Sequence, residues 1–363
     1  MNILDGVKLD FDDVLIVPKR SVIESRADVS LDRKFIFKHS KKEWQGIPLI
    51  AANMDTVASF EMAKALDKHK AMTALHKFYT IDELENFFNN NGVWNNVFYS
   101  MGISESDLAK LKDVSQKINN HITSDNSFPR FICLDVANGY TKLFNDTAKR
   151  VRETYPKATI MAGNVVTPNM VEQLIQECGV DIVKVGIGGG SACTTRLVAG
   201  VGYPQFSAII ECKDAAHGLG GLICSDGGCR TPADVVKAWA AGADFVMLGG
   251  MLAGTDECCG EWEYEIIIEG KNSRIGDKKS MKFYGMSSRE AQEKHYGCYA
   301  KHRASEGRVA KVDYKGPVDN VIQEVLGGVR SACAYVGATK LKDLDKCATF
   351  VRCSRTHNSV YEK

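Results

Sequence analysis

The stretch VKVGIGGGSACTTR, Val183 to Arg196, places three consecutive glycines, Gly188, Gly189 and Gly190, just ahead of Cys193 and directly after a strand-like apolar run. Glycine weakens regular structure, so such a run marks a backbone of unusual shape or a close approach by another group. The cysteine beside it reads either as a small packing thiol or as a nucleophile. A nucleophile must be a thiolate, favoured by partial exposure and nearby positive charge, and Arg196 is the candidate source of that charge. The free carbonyls of a glycine loop suit an alkali cation. Two more glycine turns, SDGG at 225–228 and LGG at 248–250, also follow apolar runs. Bare backbone N–H groups there, helped by a helix N-terminus, suit a phosphate; the competing reading is two tight turns. YAKHRASEGRV at 299–309 holds Arg303 and Glu306 and on composition alone reads as a solvated charged loop. A dinucleotide pattern begun at Gly186 fails at Ser191.

Something must hold these pieces together. Eight short apolar runs recur with amphipathic stretches between them: 47–54, 71–77, 96–102, 131–139, 159–166, 181–188, 222–228 and 243–250. Near-continuous apolar strands suit a parallel sheet covered on its outer face. Eight strand–helix units predict an α/β fold, a single-domain (β/α)₈ TIM barrel, whose active rim lies at the C-terminal ends of the strands. Asn53, Asp55, His76, Lys77, Asp135, Asn138 and Asn164 all fall there, as do the glycine turns. Thr167 and Thr231, each followed by proline, are expected to cap helices. The stretch 261–285 alternates and turns at Gly270-Lys271-Asn272, which predicts a hairpin inserted after strand eight.

Composition removes several classes of function. The 363 residues carry 46 basic and 45 acidic side chains, so no basic surplus points to nucleic acid or membrane partners. No run is apolar enough to span a bilayer, and the N-terminus does not read as a signal peptide. The 12 cysteines form no Cys-x-x-Cys pair, which argues against zinc and iron–sulfur sites and for reduced thiols in the cytoplasm.

Read together, GIGGGSACTTR…GVGYPQ, SDGGCRTPAD, FVMLGGMLAG, FYGMSS, RASEG and the N-terminal LDFDDVLIVPKRS resemble the IMP dehydrogenase/GMP reductase family over almost the whole chain. The 29 residues from Gly102 to Arg130 are too few for the regulatory modules that most of the dehydrogenases insert. Tyr203, where dehydrogenases usually have arginine, and RASEG followed by YKG resemble the reductase branch. Gly189 stands where relatives usually carry proline, and the 261–285 hairpin is longer than theirs.

The resemblance implies NADPH-dependent conversion of GMP to IMP and ammonia through a covalent cysteine adduct at purine C2. It places the 5′-phosphate on Asp226, Gly227, Gly228, Gly249 and Gly250, and the base near Gly285, Met286, Ser287 and the loop Arg303, Ala304, Ser305, Glu306 and Gly307. Cys193 is then the nucleophile, with Thr195 and Glu306 moving the proton. The NADPH contacts fall on Ser25, Arg26, Lys77, Asp135, Val136, Ala137, Ile187, Gly188, Met286, His302, Arg303, Ser331, Ala332, Cys333 and Ala334, partly across a subunit interface of a homotetramer. Gly188, Gly190, Cys193 and Arg196 would hold a monovalent cation, K⁺. The rival readings are IMP oxidation with NAD, a flavin-dependent barrel oxidoreductase, and an inactive nucleotide-binding regulator.

Overall fold

The computed structural model describes residues 3–91, 94–119, 128–269, 272–299 and 304–354. The eight expected runs form eight parallel strands: Leu49–Ala51, Met72–Ala74, Val97–Met101, Phe131–Asp135, Thr159–Val165, Ile182–Val185, Leu222–Asp226 and Phe245–Leu248. They pair in chain order and close where Val246 meets Leu49. Helices such as Phe60–Lys68, Gln205–Gly218 and Val318–Val336 cover the outside. The fold is the expected (β/α)₈ barrel.

The barrel has two cores, because successive strand residues point to opposite faces. Outward residues such as Ile132, Ala162 and Val183 pack under the helices. Inward residues such as Phe98, Phe131, Met161 and Ile182 fill the interior. Phe35, Phe37 and Trp44, from a small hairpin of strands Arg33–Ile36 and Glu43–Gly46, close the N-terminal mouth, with Phe35 stacked on Phe245 at 4.7 Å. The same alternation carries polar side chains to the other mouth. Phe131 and Cys133 lead inward to Asp135, Ile182 leads to Lys184, and Cys224 leads to Asp226.

Thr231 caps the helix Pro232–Ala240 in a reciprocal box with Asp234. The expected cap at Thr167 is not made, because its hydroxyl lies 3.0 Å from the Tyr140 hydroxyl instead. The hairpin forms from strands Trp262–Glu269 and Asn272–Tyr284, while Gly270 and Lys271 of its turn lie outside the described residues. A third strand, Val309–Asp313, joins it, pairing Tyr284 with Val309. The stretch read as a solvated loop therefore ends in a sheet. Among the described residues no helix is long and apolar enough to cross a membrane.

Candidate active site

A cavity of about 230 Å³ opens at the C-terminal mouth. Its floor is an ion network. Lys184, with a side chain only 4% exposed, donates to Asp135 at 2.7 Å, Asn164 at 3.0 Å and Asp226 at 2.5 Å. Asn164 also donates to Asp226 at 2.8 Å and to the Gly186 carbonyl at 2.6 Å. Burial works against the Lys184 charge, but the two carboxylates outweigh it and hold its pKa well above the usual lysine value. Burial likewise opposes the Asp135 charge, and Lys184, with help from Lys77, holds its pKa below the ordinary one. The Asp135 carboxylate thus faces the cavity in ionised form.

The glycine loop forms one wall. Gly188 has φ +84° and Gly227 φ +102°, a backbone region that side chains disfavour. A Cβ on Gly250 would sit 2.5 Å from the Ser191 hydroxyl, so the turn after the eighth strand packs closely on the glycine loop. The Gly228 N–H, expected to meet phosphate, instead donates to the Gly189 carbonyl at 2.8 Å. The helix N-terminus behind this turn is also occupied: Asp234 accepts from the N–H groups of Arg230 and Thr231. Gly227, Gly249 and Gly250 all line the cavity.

Cys193 is half-buried, with Sγ 3.2 Å from the Thr195 hydroxyl, which donates to Glu306 at 2.8 Å. The backbone zips the two segments together: Thr194 N–H donates to the Glu306 carbonyl at 2.9 Å and Arg308 N–H to the Ala192 carbonyl at 2.9 Å. Residues 111 positions apart in sequence thus form one relay. Burial pushes the thiol of Cys133 up to about 12 and that of Cys224 well above the usual range, so the interior cysteines stay protonated. Arg196 does not stand free beside Cys193. Its guanidinium grips Asp10 at 2.7 and 3.2 Å and the Tyr203 carbonyl at 2.8 Å, so Asp10 shares the charge expected to favour the thiolate.

The loop chemistry fits a cation. The turn uses the Gly189 carbonyl for Gly228 and the Gly190 carbonyl for Cys193, at 3.0 Å. A carbonyl has two lone pairs, so Gly190 keeps one for a ligand, beside Gly188 in the same turn.

The residues expected to hold NADPH divide into two groups. Asp135, Val136, Ala137, Ile187, Gly188 and Met286 line the cavity next to Cys193. Lys77 is half-buried near it, with Nζ 5.5 Å from the Phe78 ring centre. Ser25 and Arg26 sit where the N-terminal arm packs on the helix Val318–Val336, which carries Ser331, Ala332 and Ala334. None of these five described residues lines the cavity. The Cys333 side chain is fully buried on the core face of that helix, which leaves only its backbone for a cofactor. Of the base-site set, Gly285, Met286, Ser287 and Glu306 line the cavity. Ser305 accepts from Arg289 N–H at 3.1 Å, Ala304 is exposed, and Gly307 packs against Ser288 and Gly285. His302 and Arg303 lie outside the described residues.

Sequence reasoning misses Lys184 as a site residue. Its signal is a lone lysine inside an apolar strand, followed by the glycine loop.

Comparison with known proteins finds relatives along almost the whole chain. The model of the IMP dehydrogenase / GMP reductase domain matches residues 8–90 and 110–362. A protein of Photobacterium profundum named GMP reductase is 53% identical over 365 residues, covering 100% of both chains. One of Escherichia coli with the same name is 51% identical over 363 residues, 99% of each chain. Another, of Caenorhabditis elegans, is 52% identical over 356 residues, 98% of this chain and 94% of that one. The chain belongs to the IMP dehydrogenase/GMP reductase family.

Proposed function

We propose that this chain catalyses the NADPH-dependent reductive deamination of GMP to IMP and ammonia. The observation that carries the reading is the Cys193–Thr195–Glu306 relay at the edge of a cavity lined by phosphate-type glycine turns. The names of the full-length relatives agree with it.

C2 of a 2-aminopurine is amidine-like, so the Cys193 thiolate adds there. The amine departs as ammonia only once protonated. A threonine hydroxyl is too weak an acid alone, so Thr195 passes a proton that Glu306 supplies. The purine is then held on sulfur as a thioimidate, electrophilic at C2. NADPH, when bound, supplies the hydride to that carbon. The carbon–sulfur bond breaks, Cys193 leaves as thiolate, and IMP is released. Splitting one difficult displacement in two lowers each barrier.

The floor serves the sugars. A carboxylate repels phosphate but accepts from hydroxyl groups, so Asp226 suits the GMP ribose, with the phosphate on Gly227, Gly249 and Gly250. Asp135, with Val136, Ala137, Ile187, Gly188 and Met286, faces the nicotinamide side. Ser25, Arg26 and the 331–334 turn lie away from the cavity and would serve the cofactor of a neighbouring subunit in a homotetramer. K⁺ on the carbonyls of Gly188, Gly190, Cys193 and Arg196 would order the loop around the nucleophile. The reduced thiols suit the cytoplasm.

The test is incubation with GMP and NADPH, following cofactor absorbance and ammonia together. Equimolar loss of NADPH and gain of ammonia is expected. Cofactor reduction with IMP and NAD, without ammonia turnover, would replace this reading by IMP oxidation.

A further inference from the structure

Asp55 follows the first barrel strand, outside the cavity, and is not part of the relay. Its carboxylate is only 2% exposed, yet one oxygen accepts three hydrogen bonds. Tyr284 donates at 2.7 Å, Lys294 at 2.9 Å and His295 Nε2 at 2.6 Å. All three donors come from the structure above the rim: Tyr284 ends the long hairpin strand, and Lys294 and His295 lie on the helix Arg289–Tyr296. The His295 ring stacks on Phe78 of the barrel rim, at 3.5 Å and 5°. Burial alone would raise the Asp55 pKa, but the three donors outweigh it and keep the group ionised.

The same rim segment holds the proton carrier. Tyr284 pairs with Val309, and Gly285 N–H donates to the Arg308 carbonyl at 3.2 Å. At the start of the helix, Arg289 N–H donates to the Ser305 hydroxyl. A Cβ on Gly307 would lie 2.9 Å from Ser288 N and 3.1 Å from the Gly285 Cα, so the two backbones touch without slack. Wherever residues 284–289 are set, Glu306 is set too.

We propose that Asp55 is a positioning residue: it latches the hairpin end and the helix Arg289–Tyr296 to the barrel and so fixes Glu306 against Thr195. All three donors converge on Oδ2, while the buried Oδ1 has no partner among the described residues. Three donors on one oxygen are met together in one docking geometry, whereas an apolar contact would tolerate sliding. The proposal rests on the role given above to Glu306; because Gly285, Met286 and Ser287 lie on the same rim segment, the latch also bears on the base pocket, but its larger effect falls on the proton-dependent half of the reaction.

The test uses the full chain and the variants Asp55→Asn, Lys294→Met and Lys294→Arg. Lys294 is 45% exposed, so Lys294→Met should fold even where Asp55→Asn does not. In Lys294→Met, kcat for ammonia release from GMP should fall about ten-fold, the rate equivalent of one lost charged hydrogen bond, while KM for GMP rises by less than that. NADPH formation from IMP and NADP⁺ should fall clearly less than ammonia release, because that direction needs no ammonia proton. Lys294→Arg should recover most of the loss. Amide hydrogen exchange at 305–308 should quicken in Lys294→Met while the barrel strands stay unchanged. An equal loss in both half-reactions, or unchanged rates with unchanged exchange, overturns the latch. If the wild type releases no ammonia from GMP, the proposed function fails instead, and exchange at 305–308 alone decides the latch: faster supports it, unchanged rejects it.

Discussion

The floor and the roof of the cavity are held by different kinds of contact. The floor groups Asp135, Lys184 and Asp226 project inward from the fourth, sixth and seventh barrel strands, so the sheet ladder fixes their spacing. The roof group Glu306 arrives on an irregular segment held by a few backbone hydrogen bonds to the cysteine loop and by the rim helix. On the proposed function, the binding groups sit on the sheet ladder and the proton carrier on a part that can be set separately. A rigid floor favours one pose of the nucleotide, while an independently anchored roof lets the two half-reactions be tuned apart.

Four substitutions, taken from the largest expected effect to the smallest, probe that division. Cys193→Ala removes the nucleophile that both halves use. Ammonia release and hydride transfer should both vanish, while calorimetry still shows GMP binding, since the glycine turns and floor are untouched. Turnover near wild type would remove Cys193 from the mechanism. Glu306→Gln acts on the roof alone. It keeps shape but cannot exchange a proton near neutrality, so deamination should slow by about 10²–10⁴-fold. NADPH formation from IMP and NADP⁺, measured by stopped flow, should remain rapid. Equal losses would make Glu306 a binding residue.

Lys184→Met attacks the floor. It leaves Asp135 and Asp226 facing each other without their shared cation, and breaking such a buried set costs about 3–5 kcal/mol. Urea unfolding at pH 7 measures the loss. The wild-type Asp135 pKa is depressed, so the pair's contribution is full above the unfolded carboxylate pKa and disappears as pH falls through the folded one. The gap between wild type and Lys184→Met should therefore narrow below about pH 4. A gap independent of pH would assign the loss to packing.

The contrast also explains what the sequence made legible. The barrel strands and glycine turns were readable because each is a contiguous run with its own local signature. Lys184 was not, since a lysine in an apolar run has meaning only once Asp135, 49 positions away, and Asp226, 42 positions away, are known to face it. Arg196 looked like a free charge because its partner Asp10 lies 186 positions upstream. Glu306 came from the family resemblance, because the alternation of Val309–Asp313 that fastens its segment is short and half-exposed. Local pattern reaches strands and turns; pairings across the barrel need the fold.

The smallest expected effect lies at the junction between floor and roof. His76 follows the second barrel strand, stacks on Tyr79 at 3.9 Å, and accepts from Phe78 N–H at 3.2 Å. Burial is the main cause that lowers its pKa from 6.5 to about 4, and the neighbouring charges of His295 and Lys294 add to it against the pull of Asp55. Between those two values the unfolded chain binds a proton that the folded one refuses. Stability attributable to His76 is therefore full above pH 6.5, declines as pH falls toward 4 and levels off below, by up to about 3 kcal/mol. His76→Phe keeps a ring on Tyr79 and removes the titration. Its stability should fall less steeply than that of wild type from pH 6.5 to 4 in urea unfolding series. His39, lowered by burial beside Asp181, titrates in both chains, so the difference in slope isolates His76. Identical slopes would show that His76 protonates in the fold as readily as in the unfolded chain.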